Sequence, residues 1–352
     1  MIERRQFLGS VAAFCVATTS LPRVASASTS SIDLNWQSTV IETIAHSSAE
    51  RNPVVTDVSL QPGGSQLAIV GDDHFVCIYD TQANQYIQHL GQHTDWIRTA
   101  RYSPNGSRLA TAGNDRTMLI WSTENWLAPA ISKRNPEAII ELAFTHDGTK
   151  IATVGFESKL RLFDVQSGDE MRQFELPCPD NHAVAFSNDD RYVAAGGRSG
   201  TVRVWDMQSG RKHSEFKAHR QRIRSLDFTS DGKIVSASDD QFVKITDPAN
   251  PTNIQSFRRH ASKLYATALL GGDLIATGGS DNKIHIWQLK TKQELGTLSG
   301  HTGTVSCLDY SKSQLVSGSF DTHVRLWRTE QNTSAPDQRH TELGDGWNRS
   351  LK

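Results

Sequence analysis

A short run ending in an aromatic residue returns along nearly the whole chain, and its spacing limits the possible folds more than any other feature. It reads Ile78-Tyr79-Asp80, Ile120-Trp121-Ser122, Leu162-Phe163-Asp164, Val204-Trp205-Asp206, Ile286-Trp287-Gln288 and Leu326-Trp327-Arg328, with Ile245-Thr246-Asp247 in the fifth register. The landmark positions 79, 121, 163, 205, 246, 287 and 327 lie 42, 42, 42, 41, 41 and 40 residues apart. Such a period marks repeated copies of one supersecondary unit. Each copy holds several short β-type runs, parted by turn signals such as Pro104-Asn105-Gly106, Asp147-Gly148, Ser209-Gly210 and Asp231-Gly232. A sheet of roughly 40 residues cannot cover both its faces alone, so it must stack on its neighbours. Stacking in a ring leaves only short, protected edges.

Other residues keep the same step. Six positions before each landmark stands Asp73, Asp115, Glu157, Ser199, Asp240, Asp281 or Asp321, and four before that Ile69, Thr111, Thr153, Ala195, Ser236, Thr277 or Ser317. A histidine recurs at 93, 219, 260 and 301, which is 28, 27, 27 and 26 residues ahead of its landmark. The second, sixth and seventh units carry all members: His93, Thr111, Asp115 and Trp121; His260, Thr277, Asp281 and Trp287; His301, Ser317, Asp321 and Trp327. With its Gly300-His301 opening and Trp205-Asp206 close, the pattern resembles the WD-repeat β-propeller family over residues 38–328. The resemblance implies an all-β, seven-bladed β-propeller of four-stranded antiparallel blades. It also implies a side-chain hydrogen-bond chain inside each complete blade, in which the buried Trp N–H finds a polar partner. The first, third, fourth and fifth units lack one or more members, so the chain is not expected there.

Beyond Trp327 the sequence turns polar, so the last blade lacks a fourth run, whereas residues 38–44 alternate as a strand. The expectation is that this N-terminal strand completes blade seven and closes the ring. Ahead of it, Arg4-Arg5-Gln6-Phe7-Leu8, a mild apolar stretch and Ala25-Ser26-Ala27 fit a twin-arginine export signal with cleavage after residue 27. Residues 28–37 read as a polar lead-in, 38–328 as the propeller, and 329–352 as a flexible polar tail. His46 is a candidate for the histidine of blade one, which carries an insertion at 47–51. The resulting location is periplasmic or secreted; without the signal it is cytoplasmic. Removing the signal leaves Cys77, Cys178 and Cys307, an odd number with no disulfide framework.

No catalytic chemistry is legible. GxSxG, HExxH, CxxC and Walker patterns are absent from the sequence. The histidines fall one per repeat, too dispersed for a metal site, and no carboxylate pair has acid–base spacing. Neither a cofactor nor a metal is expected. A formal charge of −1 without basic blocks argues against nucleic acid, and the apolar run near the N-terminus is too short to span a membrane. The reading is a non-catalytic protein- or peptide-binding scaffold, a monomer within a larger complex. A small-ligand or glycan-binding propeller is the alternative, marked by aromatics converging on one cleft, and a propeller enzyme a weaker one.

The resemblance places recognition on a top face with two positions per blade. One precedes the inner strand (Val54, Trp96, Ala138, Asp180, Arg222, Lys263, Thr304); the other precedes the turn acid (Asp72, Asn114, Phe156, Arg198, Asp239, Ser280, Phe320). Aromatic and arginine side chains dominate binding hot spots, which selects Trp96, Phe156, Arg198, Arg222 and Phe320 as the candidate protein-binding rim.

Overall fold

Burial falls from the middle of each repeat outward, and that gradient sets the architecture. The second strands (Gln66–Gly71, Arg108–Gly113, Lys150–Gly155, Tyr192–Gly197, Ile234–Ser238, Leu274–Gly279 and Gln314–Ser319) are buried almost end to end. They are built from alanine, glycine, serine, threonine and small aliphatics, as a strand covered on both faces requires. The fourth strands, such as Glu170–Glu175 and Lys212–Lys217, are mostly exposed and mostly polar.

The computed structural model describes residues 36–43, 51–257 and 260–329. Among these, 28 strands form seven four-stranded antiparallel sheets. The inner strand of each sheet packs against the inner strands of the sheets before and after it. The last inner strand, Val305–Ser311, packs on the first, Val55–Leu60, and the wheel is closed. The core lies between blades: Val58, Leu67 and Tyr79 of blade one share a cluster with Cys307, Val316 and Leu326 of blade seven. Each fully buried side chain of this size contributes roughly 1.5–3 kcal/mol.

Closure uses the N-terminal strand. Trp36–Glu42 runs antiparallel to His323–Thr329, with Ser38 opposite Trp327 and Ile41 opposite Val324. The strand begins two residues earlier than the alternation at 38–44 predicts and takes in Trp36 and Gln37 of the expected polar lead-in. Trp36 earns that place by packing against the cluster that contains Trp327. The export signal at 1–27, residues 28–35, His46, most of the insertion at 47–51 and the tail beyond Thr329 lie outside the described residues. No helix among the described residues is long and apolar enough to cross a membrane. Cys77, Cys178 and Cys307 are free thiols, and burial pushes the Cys77 thiol up to about 12.

The glycine pairs serve two approaches. A Cβ on Gly196 or Gly278 would meet Ile223 or Val305 of the next blade at 2.9 and 2.6 Å, so these glycines relieve crowding between packed sheets. A Cβ on the second glycine of each pair would strike a carbonyl within its own hairpin, such as Asp180 O at 2.4 Å from Gly197. That contact belongs to a distortion described next.

Candidate recognition site at the channel mouth

Two sets of residues keep the repeat's step, and the structure gives them different surroundings. The first is the chain inside the blade. In blade two, Trp121 Nε1 donates to Thr111 Oγ1 (3.1 Å), Thr111 Oγ1 meets His93 Nε2 (2.9 Å), and His93 Nδ1 meets Asp115 Oδ2 (2.8 Å). Blade seven repeats it with Trp327, Ser317, His301 and Asp321 at 2.9, 2.7 and 3.0 Å. A carboxylate only accepts, so the imidazole proton sits on Nδ1 and the hydroxyl donates to Nε2. Backbone N–H groups of Thr94 and Thr302 also donate to the acids.

Blade six departs from this. Trp287 Nε1 donates to Thr277 Oγ1 at 3.2 Å, but Asp281 is held by His285 Nε2 at 2.9 Å, not by His260. His285 uses its other nitrogen on Glu294 at 2.6 Å. His260 packs tilted against Trp287 (4.6 Å) and edge-on to His285 (5.5 Å), and its Nε2 is buried without a hydrogen-bond partner. Burial, with His285 beside it, pushes His260 down to about 4.

Blade five, where no chain is expected, builds most of one. His219 bridges Asp240 (3.0 Å) and Ser236 (2.8 Å), while Thr246, in place of the tryptophan, leaves its hydroxyl buried and unpartnered. Burial works against the Asp240 charge, yet the His219 bond and the backbone N–H groups of Arg220 and Phe242 bring its carboxyl down to about 2. In blade three Asn135 stands 28 residues before Phe163, in the histidine's place, and its amide donates to Thr153 at 3.4 Å.

The second set lies at the mouth of the channel. In every blade the first hairpin slips register right after its first pair, between Val55/Asp57, Ile97/Thr99, Ile139/Glu141, Asn181/Ala183, Ile223/Ser225, Leu264/Ala266 and Val305/Cys307. A bulge leaves one residue unpaired and re-aims its side chain. Those residues are Thr56, Arg98, Ile140, His182, Arg224, Tyr265 and Ser306, at steps of 42, 42, 42, 42, 41 and 41. All seven line a single cavity of about 220 Å³, joined by Phe156 and Phe320. The bulge also brings together the two rim positions of each blade. Asn114 N donates to Trp96 O, Phe156 N to Ala138 O, Arg198 N to Asp180 O and Phe320 N to Thr304 O, at 2.9–3.1 Å.

Of the candidate rim, Trp96, Phe156 and Phe320 are 41, 45 and 46 % exposed and are the exposed Trp and Phe side chains among the described residues. Phe156 and Phe320 border the cavity, and Phe320 meets Tyr265 edge-on at 6.2 Å. Trp96 lies under the Arg98 guanidinium at 5.0 Å. Arg198 is exposed. Arg222 is engaged within the rim: its Nη2 donates to Asp180 at 2.5 Å, and Asp180 also holds His182 at 2.7 Å. Burial and the neighbouring Arg224 push His182 down to about 4. Arg224 forms a two-point pair with Asp239 (2.9 and 3.2 Å) and lies over Tyr265 at 4.9 Å.

Deeper in the channel, carboxylates tie neighbouring blades. Asp57 accepts from Val58 N of its own blade and Ala100 N of the next, both at 2.9 Å, and Asp309 of blade seven accepts from Leu60 N of blade one at 2.7 Å. Arg101 pairs with Asp57 (2.5 Å) and Glu141 (3.2 Å). Every carboxylate in this group is used in holding inner strands together. Among the described residues no group of three or more His, Cys, Asp or Glu is arranged to hold a metal ion.

A family model, WD domain, G-beta repeat, matches residues 38–80, 84–122, 179–206, 210–247, 252–288 and 292–328, more than half of the chain. The chain belongs to the WD-repeat family. The matched segments pass over 123–178, which covers all four strands of blade three, where Glu157 pairs with Arg161 at 2.7 Å and Phe163 replaces the tryptophan. Curated relatives include a U3 snoRNP-associated protein-like protein of Arabidopsis thaliana, 34% identical over 80 residues, covering 22% of this chain and 17% of that protein. Periodic tryptophan protein 2 of Saccharomyces cerevisiae is 46% identical over 59 residues, 16% of this chain and 6% of its own length. Eukaryotic translation initiation factor 3 subunit I of Eremothecium gossypii is 38% identical over 66 residues, 18% and 19%. The matched stretches thus span less than a third of each of these relatives, and they come from eukaryotes. The chain is thus of the WD-repeat scaffold type.

Proposed function

We propose that this WD-repeat protein is a non-catalytic scaffold that binds a peptide segment of a partner protein at the channel mouth, acting as one subunit of a larger complex. One observation carries the reading: seven bulges turn seven side chains of six residue types into one cavity, beside two exposed phenylalanines. Two of the seven also tie blades together, Thr56 Oγ1 reaching Ile97 O at 2.5 Å and Ser306 Oγ reaching Val55 O at 2.7 Å, but aromatic and arginine groups at a concave site are what hot spots are made of. Convergence of aromatics is also what a glycan or small ligand would need. The cavity of about 220 Å³ shares Arg101, Glu141, His182 and Arg224 with a second of about 330 Å³, so the channel has room for peptide side chains and also for a small ligand.

The test is capture of partners by the full chain, with and without Trp96→Ala and Phe320→Ala together. The reading expects the bound protein to disappear while the melting curve stays in place; binding that persists would retire the mouth as the site. We also propose export through the twin-arginine route, supported by Arg4-Arg5 and the Ala25-Ser26-Ala27 pattern. N-terminal sequencing of envelope material should then begin at Ser28; a sequence beginning at residue 1 or 2 would contradict it.

A further inference from the structure

One cation at the mouth has no ion-pair partner among the described residues, and it identifies the partner's chemistry. Most of the carboxylates there are already taken, while Asp95, near Arg98, accepts from Trp96 N. Asp180 is held by Arg222 and His182, Asp239 by Arg224, Asp72 by Arg51 at 2.5 Å and by Val54 N, and Glu141 by Arg101. The cations are not all answered. Arg98, half-buried and lining the cavity, gives its Nε–H to the neutral amide of Asn114 at 2.8 Å and rests on the Trp96 ring. It makes no ion pair with a carboxylate among the described residues. Burial holds its pKa below the ordinary arginine range, with Asp95 opposing this only as a nearby charge. Around it, Arg198 and Lys263 are exposed on the same rim.

We propose that the mouth reads an anionic side chain within a peptide, a carboxylate or a phosphate flanked by apolar residues, and that Arg98 receives it. This rests on the mouth being the recognition face. Over Trp96 and held at Nε, the guanidinium leaves its Nη groups without a hydrogen-bond partner among the described residues, and a guanidinium fork matches a two-oxygen anion. Phe156 and Phe320 supply the apolar flanks. A neutral or basic segment would leave a half-buried cation without its counter-charge and would meet Arg198 and Lys263.

The experiment is selection of displayed random dodecapeptides on the immobilised full chain, followed by affinity measurement on synthetic copies. Enriched peptides should carry Asp or Glu next to an apolar residue. Changing that acid to its amide, or changing Arg98→Gln, should weaken binding by about tenfold or more, the effect of one charge-assisted hydrogen bond. Arg98→Lys should fall between, and unchanged melting curves should accompany both variants. Phosphoserine in place of the acid separates the two anions: tighter binding assigns phosphate, weaker binding assigns carboxylate. Peptides that are neutral or basic, yet lost on Phe320→Ala, overturn the anion while leaving the mouth in place. Peptides indifferent to Phe320→Ala bind elsewhere and overturn the mouth itself. Failure to enrich any sequence contradicts both.

Discussion

Blade seven and blade six carry the same His, Ser/Thr, Asp and Trp pattern, but only blade seven assembles it. The difference lies in the third strand. In blade seven Arg325 donates to Gly300 O at 2.7 Å and leaves Asp321 to His301. Blade five follows the same plan, with Lys244 donating to Ala218 O at 2.6 Å. Blade six has His285 there; it is short enough to turn onto Asp281, and His260 is left with ring packing. A repeat therefore fixes where a side chain stands but not whom it bonds, because one neighbour with a free donor redirects the chain. The blades differ at their edges too: blade six makes its own fourth strand, Glu294–Leu298, while blade seven borrows Trp36–Glu42.

The largest break in this comparison is removal of residues 36–42. It opens the ring at blade seven alone, and the loss should be on the order of 5 kcal/mol, from roughly 1 kcal/mol per ladder hydrogen bond. Chemical denaturation reads it; an unchanged midpoint would mean the ring does not depend on its borrowed strand. Next come matched substitutions. His301→Leu removes one partner each from Asp321 and Ser317, which keep the Thr302 N–H and Trp327 Nε1 bonds, and should cost about 1–3 kcal/mol in all. His260→Leu removes a nitrogen that already lacks a partner, so its cost should stay below about 1 kcal/mol. Equal costs would show that His260 bonds as His301 does.

The smallest effect is a difference in slope with pH. Burial holds His301 below its ordinary value, so its contribution is complete above the unfolded pKa and is lost as pH falls. Burial acts on His285 in the same sense, but its bonds to Asp281 and Glu294 hold it above the ordinary value. Its contribution is complete below the unfolded pKa and is lost as pH rises. The cost of His301→Leu should thus shrink from pH 8 to pH 5, while that of His285→Gln grows. Parallel slopes would place His285 away from the two acids.

Much of the fold was legible because it rests on repetition. The landmark period counts the blades, and the missing run after Trp327 points to a strand from the other end of the chain. The chains within blades two and seven are those that the family resemblance implies for blades with all four members. Blade six does not, because His285 lies at a position where the other blades carry cysteine, leucine, arginine or lysine, and its reach is a matter of geometry. The bulge ring escaped notice for the opposite reason. Its seven positions keep the period, but only arginine recurs, at 98 and 224, and no single residue type runs through threonine, arginine, isoleucine, histidine, tyrosine and serine. Only the register slip shows that each one is turned inward. Arg222 illustrates the same limit: its residue type marks it for recognition, but Asp180 in the neighbouring blade already holds it.

These regions together support one division of labour, in which chains within the blades give cohesion and the dissimilar bulge residues recognise a partner. Hydrogen–deuterium exchange of the full chain, with and without a selected peptide, tests this most directly. The account predicts slowed exchange at the inner-strand starts around residues 56, 98, 140, 182, 224, 265 and 306 and at the turns holding Phe156 and Phe320, with the outer strands unchanged. Protection confined to outer strands such as Glu170–Glu175 or Lys212–Lys217 would contradict it.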